Sequence, residues 1–129
     1  MNITNAIYVL IMFFMFCIGT CSAQEVINQS NFKDKIAKDI VVVEFWAEWN
    51  KANEFAELNK LKDSSVYRVD IMHCTKLQAD YNILAVPTVV VFDNGVEKER
   101  FNANIMFQLE ADKKTIQTSI DTIILNKFQ

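Results

Sequence analysis

Glycine and proline are nearly missing from this chain: its 129 residues hold two glycines, Gly19 and Gly95, and one proline, Pro87. A sequence so short of both is neither a flexible linker nor a disordered tail, since those draw on Gly, Ser and Pro. Histidine is limited to His73 and cysteine to Cys17, Cys21 and Cys74. The adjacent pair His73-Cys74 falls short of the three or four ligands that zinc takes, so neither a metal nor a cofactor is expected. Basic charge is not in excess: 13 Lys and Arg face 16 Asp and Glu, for a net charge of −3. Nucleic acid is therefore not an expected partner, because a phosphate-binding domain shows a basic face.

Charged side chains are absent altogether from Met1 to Ala23. Within that stretch, Ile7 to Ile18 is a continuous apolar run. It is shorter than the ~20 residues a membrane-spanning helix needs, yet within the roughly 7–15 of a secretory h-region. Cys21-Ser22-Ala23 closes it with small residues where a signal peptidase reads. The expectation is a signal peptide over residues 1–23, cleavage before Gln24, and an exported domain, periplasmic or secreted, over residues 24–129. The n-region carries no Lys or Arg, which leaves an uncleaved anchor as the alternative. A lipid on Cys21 is disfavoured, because Ile18-Gly19-Thr20 is a poor lead-in for it. After cleavage Cys74 is the one thiol, and no internal disulfide is possible. That thiol has two readings, a group that pairs with another molecule or a small buried hydrophobe.

What remains is one domain's length, and 51% of the whole chain is hydrophobic, enough for a core. The pattern alternates. Gln24 to Ile27 reads as a short leading strand. Ser30-Asn31 offers N-cap chemistry for a helix with Phe32 and Ile36 on one face. Ile40 to Trp46 (Ile-Val-Val-Val-Glu-Phe-Trp) is a near-continuous β-branched and aromatic run, as expected for a strand buried on both faces. Asn50 to Leu61 spaces Ala52, Phe55, Ala56 and Leu58 as a helix does. Ser65 to Asp70 is a strand, Thr75 to Tyr81 a short helix and Thr88 to Phe92 a strand. Asp93-Asn94-Gly95 is a hairpin signal, since Asn-Gly accepts the positive φ of a tight turn. Val96 to about Ile105 returns as a strand, and Lys113 to Leu125 closes as a helix with Ile116, Ile120, Ile123 and Ile124 on its face. The order βαβαβαββα predicts parallel pairs with helical crossovers and a final antiparallel hairpin.

Three motifs within this order resemble the thioredoxin family. Val43-Glu44-Phe45-Trp46-Ala47-Glu48-Trp49 is similar to the strand and turn that lead into that family's active site. Val86-Pro87-Thr88 resembles its cis-proline loop, and Phe92-Asp93-Asn94-Gly95 the hairpin that follows. The resemblance spans Glu25 to Leu125. It implies an α/β, thioredoxin-like three-layer α/β/α sandwich, with a central mixed sheet, a cis-Pro loop and a C-terminal hairpin plus helix.

The resemblance also implies thiol–disulfide exchange, and there the sequence departs from it. Exchange needs an attacking thiolate at a helix N-terminus and a resolving cysteine three residues on. Those places read Asn50-Lys51-Ala52-Asn53, and a carboxamide is neither a nucleophile nor a two-electron carrier. For Asn50 the structural reading is an N-cap, worth about 1 kcal/mol over Ala; the functional one is a hydrogen bond to a ligand. Glu44 matches the family's buried acid and is expected to have a raised pKa or a partner. Trp46 reads as core, and Trp49 as a flank of the binding groove or a shield of the helix start. Val86, Pro87 and Thr88 imply a backbone edge that takes an extended peptide by β-augmentation, which needs no cysteine.

Three further features complete the reading. Cys74 is placed on the rim of the old active site as a candidate monothiol. Asn102 stands where many thioredoxins carry glycine and is expected to narrow the groove. Asn104 to Ala111 is longer and more apolar than the family's usual connection, and reads as a strand extension or a partner surface. The expectation is a non-catalytic module that binds an extended peptide or protein partner through Trp49, Asn50, Val86, Pro87 and Thr88. The alternatives are a divergent oxidoreductase working through Cys74 and a structural component of the envelope.

Overall fold

The computed structural model describes residues 24–129; the expected leader, its cleavage and its two cysteines lie outside them. The elements are α1 (Phe32–Ile36), β1 (Ile40–Trp46), two short 3-10 helices (Glu48–Asn53 and Leu58–Lys60), β2 (Ser65–Asp70), α2 (Thr75–Asp80), β3 (Thr88–Asp93), β4 (Val96–Phe101) and α3 (Lys113–Asn126). They build a four-stranded sheet in the order β2-β1-β3-β4. β1 runs parallel to β2 and antiparallel to β3, and β3 pairs antiparallel with β4. This is the mixed sheet of a thioredoxin-like α/β fold, but of the parallel strand pairs expected from the alternation only β1–β2 forms, because β3 comes back from α2 antiparallel to β1.

β1 is central in the sheet and has a core packed on each face, which is why six of its seven positions are buried. Period-two alternation splits that apolar run between two cores. Val41, Val43 and Phe45 face a cluster with Phe32 and Ile36 of α1 and Leu77 of α2. Ile40 and Val42 face the other, with Phe55, Leu58 and Ile116 and Ile120 of α3. Phe32, Phe45, Tyr81 and Phe92 form the aromatic centre of the first, at ring distances of 5.0–6.1 Å. Full burial of a side chain of this kind contributes roughly 1.5–3 kcal/mol. Asn94 (φ 49) and Gly95 (φ 82) take the two positive-φ places of the hairpin. Asn94 also ties the turn to α1's exit, where the Asp39 N–H donates to its Oδ1 at 3.0 Å.

Four local expectations are corrected. The leading strand shrinks to one bridge, Val26 to Arg68, alongside β2. The stretch just after it turns, with Asn28 Oδ1 accepting from the Ser30 N–H. Asn31 does not cap α1, because its Oδ1 accepts from the Asn28 N–H at 2.8 Å. The helix expected over Asn50 to Leu61 is broken at Glu54 (ψ 151). Its periodicity is real, since Phe55 and Leu58 are buried, but the Phe55 N–H donates to the Glu44 carboxylate at 2.6 Å instead of to a helical carbonyl. β4 stops at Phe101, and beyond it a single bridge joins Ala103 to Leu109. The N-cap of α3, Asp112, went unread in the sequence; it accepts from the Thr115 N–H at 2.8 Å.

Candidate functional site

The C-terminal end of β1 leads through extended Ala47 into the turn Glu48–Asn53, and the loop before β3 approaches it from the neighbouring strand. The Val86–Pro87 peptide in that loop is cis. Asn50 sits inside the turn at φ −113, ψ 20, with its N–H on the Ala47 carbonyl. It is not an N-cap, and no side-chain cap bond is made at this turn. Its carboxamide instead looks outward to three partners. Nδ2 donates to the Val86 carbonyl and to the Phe107 carbonyl, both at 3.0 Å. Oδ1 accepts from Asn53 Nδ2 at 2.8 Å. Two carbonyl acceptors fix which end of the amide is nitrogen, and both donors are used. A carboxylate would repel both carbonyls, and a thiol has only one proton to give.

At Val86 the carbonyl side of the expected edge is occupied from within the chain. Val86, Pro87 and Thr88 are all buried, and the Val86 carbonyl already accepts from Asn50. Thr88 Oγ1 donates back to the Ala85 carbonyl at 2.7 Å, which accounts for its burial. Trp49 is 57% exposed. Its ring meets Phe107 edge-on, at 5.2 Å between centroids and 90° between planes, a favourable aromatic geometry. So Trp49, Asn50 and Val86 are brought together as expected, and Phe107 joins them unforeseen. Asn102 is exposed and lines an open depression with Asn82, Leu84, Ala85 and Arg100.

Glu44 is fully buried and has both a raised pKa and partners. Its register partner on β2 is Arg68. Arg68 Nε donates to Oε2 at 2.7 Å, and the Phe55 N–H donates to Oε1 at 2.6 Å. Burial pushes the carboxyl above the usual range, while the Phe55 N–H and the Arg68 guanidinium pull it back part of the way. Arg68 also donates to the Phe55 carbonyl, pairs with Glu54 at 3.2 Å and lies 6.0 Å from the Trp46 ring centroid. Glu44 is thus a tie between β1, β2 and the Phe55 turn. Trp46 is half-buried beneath that guanidinium, not a core residue as its neighbours suggested.

Cys74 lies at the expected end of the sheet but turns inward. It is 5% exposed, in the buried cluster that includes Ile71, Leu77 and Val86. The rim position falls to His73, which is exposed and meets Asp70 at 2.8 Å. A water-soluble aromatic disulfide reagent should therefore label native Cys74 at least tenfold more slowly than it does in urea. Equal rates would place the thiol at the surface. Among the described residues, no group of three or more His, Cys, Asp or Glu side chains is placed to hold a metal ion.

Phe107, Asn104 and Arg68 were not singled out from the sequence. Arg68 is invisible there because its importance depends on strand register. Asn104 and Phe107 lie in the connection whose unusual length and apolar residues were the signal.

Comparison with known proteins agrees with this architecture. The family model described as Thioredoxin matches residues 23–120. A thioredoxin of Mycoplasma genitalium is 40% identical over 70 residues, covering 50% of this chain and 69% of that protein. One of Chlamydia trachomatis is 30% identical over 82 residues, covering 59% and 80%. Among solved structures, a mutant thioredoxin from Halobacterium salinarum superposes with a TM-score of 0.62 at 24% identity, over 77% of this chain and 88% of that one. Fold, site frame and relatives lead to one assignment: the chain belongs to the thioredoxin family.

Proposed function

We propose that this protein is an exported, non-redox member of the thioredoxin family that holds an extended peptide or protein partner at the cis-Pro end of its sheet, without covalent chemistry. The observation that carries this reading is the Asn50 carboxamide. It stands where the family's attacking sulfur would be, and it spends its donors on Val86 and Phe107 and its oxygen on Asn53. Nothing in that arrangement takes or gives electrons, whereas backbone recognition by amide and aromatic groups needs none. Export rests on the uncharged, apolar stretch ahead of Gln24. An oxidoreductase built on Cys74 is less well supported, because an attacking thiol must be accessible and this one is buried.

The test is an insulin-reduction assay run beside partner capture. Reduction should stay at background for the parent and for Cys74→Ser, while a captured partner should survive dithiothreitol in both. Catalytic reduction by Cys74→Ser would overturn the reading. A second reading, a structural component of the envelope, draws on the exposed Ile105 and Met106. Partner loss on Ile105→Asp, with capture retained by Trp49→Ala, would favour it.

A further inference from the structure

The connection after β4 is a built feature with its own geometry. The Asn104 N–H donates to the Gln108 carbonyl at 2.9 Å and the Phe107 N–H to the Asn104 carbonyl at 3.0 Å. This is the three-residue hairpin loop, in which the last loop position is left-handed and ordinarily glycine. Here that position is Phe107, at φ 56. Asn104 Oδ1 stiffens the loop by accepting from the Met106 and Gln108 N–H groups. A bulky residue keeps a left-handed backbone only where its surroundings impose it. Those surroundings are the candidate site: the Phe107 carbonyl accepts from Asn50 and its ring lies against Trp49. One amide thus holds the Val86 carbonyl with one proton and the loop with the other.

We propose that residues 104–108 are a strap that closes the cis-Pro groove from within the chain and must leave before an extended partner pairs at Val86. The proposal rests on the binding reading given above. The strap's backbone already shares the amide that reaches Val86, and its one strained residue supplies the ring that meets Trp49 edge-on. The tip is free of the core, with Ile105 97% and Met106 68% exposed, so the hairpin has room to swing. A groove that is open only part of the time binds more weakly in proportion to that fraction. Loosening the strap therefore raises affinity.

Two variants leave the groove residues untouched. Phe107→Ala removes the ring but keeps a Cβ on the left-handed backbone, so the strap loses its hold and keeps its strain. Replacing residues 104–108 by Asn-Gly joins the bridged pair Ala103 and Leu109 through a two-residue turn and removes the strap. Binding of the purified proteins to reduced, carboxymethylated insulin B chain, an extended polypeptide without free thiols, is measured by calorimetry. Exchange of the Asn50 side-chain NH2 protons is measured by NMR. The strap-replaced variant should exchange these protons at least tenfold faster, and both variants should bind at least tenfold more tightly than the parent. Unchanged exchange, or equal binding by all three proteins, overturns the strap; equal binding leaves the binding reading standing. No binding by any of them, with faster exchange in the variant, overturns the binding reading and leaves the strap nothing to gate.

Discussion

Arg68→Met should destabilise the protein by about 3–5 kcal/mol at pH 7, the range for removing one partner of a buried ion pair. Methionine matches the aliphatic stem of arginine, so the packing of the stem is kept. What is lost is the cation on a carboxylate with no exposed surface. Glu44 Oε2 would be left unpaired, and the Phe55 carbonyl and Glu54 would lose the same guanidinium. The effect should depend on pH in a fixed direction. The Glu44 carboxyl is already raised by burial in the parent, and losing Arg68 raises it further. A raised carboxyl means that the folded state binds more protons than the unfolded one, so stability falls as pH rises from the ordinary glutamate range through the raised folded value. Urea unfolding of Arg68→Met at pH 5 and 7 should therefore show the larger loss at pH 7. Adding Glu44→Gln to Arg68→Met should recover much of the loss and flatten the pH dependence. A loss under 1 kcal/mol at both pH values would mean that the pair is solvated and does not tie the strands together.

Introducing two cysteines, as Asn50→Cys with Asn53→Cys in a Cys74→Ser background, should give a disulfide whose reduced form is a poor nucleophile. The two side chains already meet at 2.8 Å, so the sulfurs are brought close. The electrostatic support is what this turn lacks. It is a six-residue 3-10 segment with a non-helical residue at Asn50 and a break at Glu54, so few aligned peptide dipoles stand behind position 50. Lys51, the nearest cation in sequence, is paired with Glu48 at 3.7 Å. The attacking thiol should titrate above about 8, near the ordinary thiol value of ~8.5, not near the ~7 of an activated Cys-x-x-Cys. At pH 7 that difference is roughly 16-fold in thiolate. Thiolate absorbance near 240 nm followed against pH measures it. A midpoint at 7 or below would show that the turn activates a sulfur as a full helix does.

The sheet was largely legible. Ile40 to Trp46 and Thr88 to Phe92 are so rich in β-branched and aromatic residues that no other element competes, and Asn94-Gly95 fixes the hairpin between β3 and β4. Legibility failed where a long-range bond displaced a local one. Ala52, Phe55, Ala56 and Leu58 have helical spacing, yet the Glu44 carboxylate takes the Phe55 N–H and the helix breaks. Ala103 and Ile105 look like a strand's continuation, yet Asn104 bonds to the residues just ahead of it and turns the chain. Cys74 illustrates a third limit, since the end of the sheet it occupies follows from topology but the direction of its sulfur does not.

Residue identity and spacing alone determined the mixed sheet and the carboxamides at positions 50 and 53, because strand propensity, turn chemistry and the kind of side chain are properties of a residue and its near neighbours. The tertiary structure alone decided what those amides do. Asn50 meets Val86 across 36 residues of chain and Phe107 across 57, and hydrogen bonds at that separation exist only after the sheet has set the geometry of its loops.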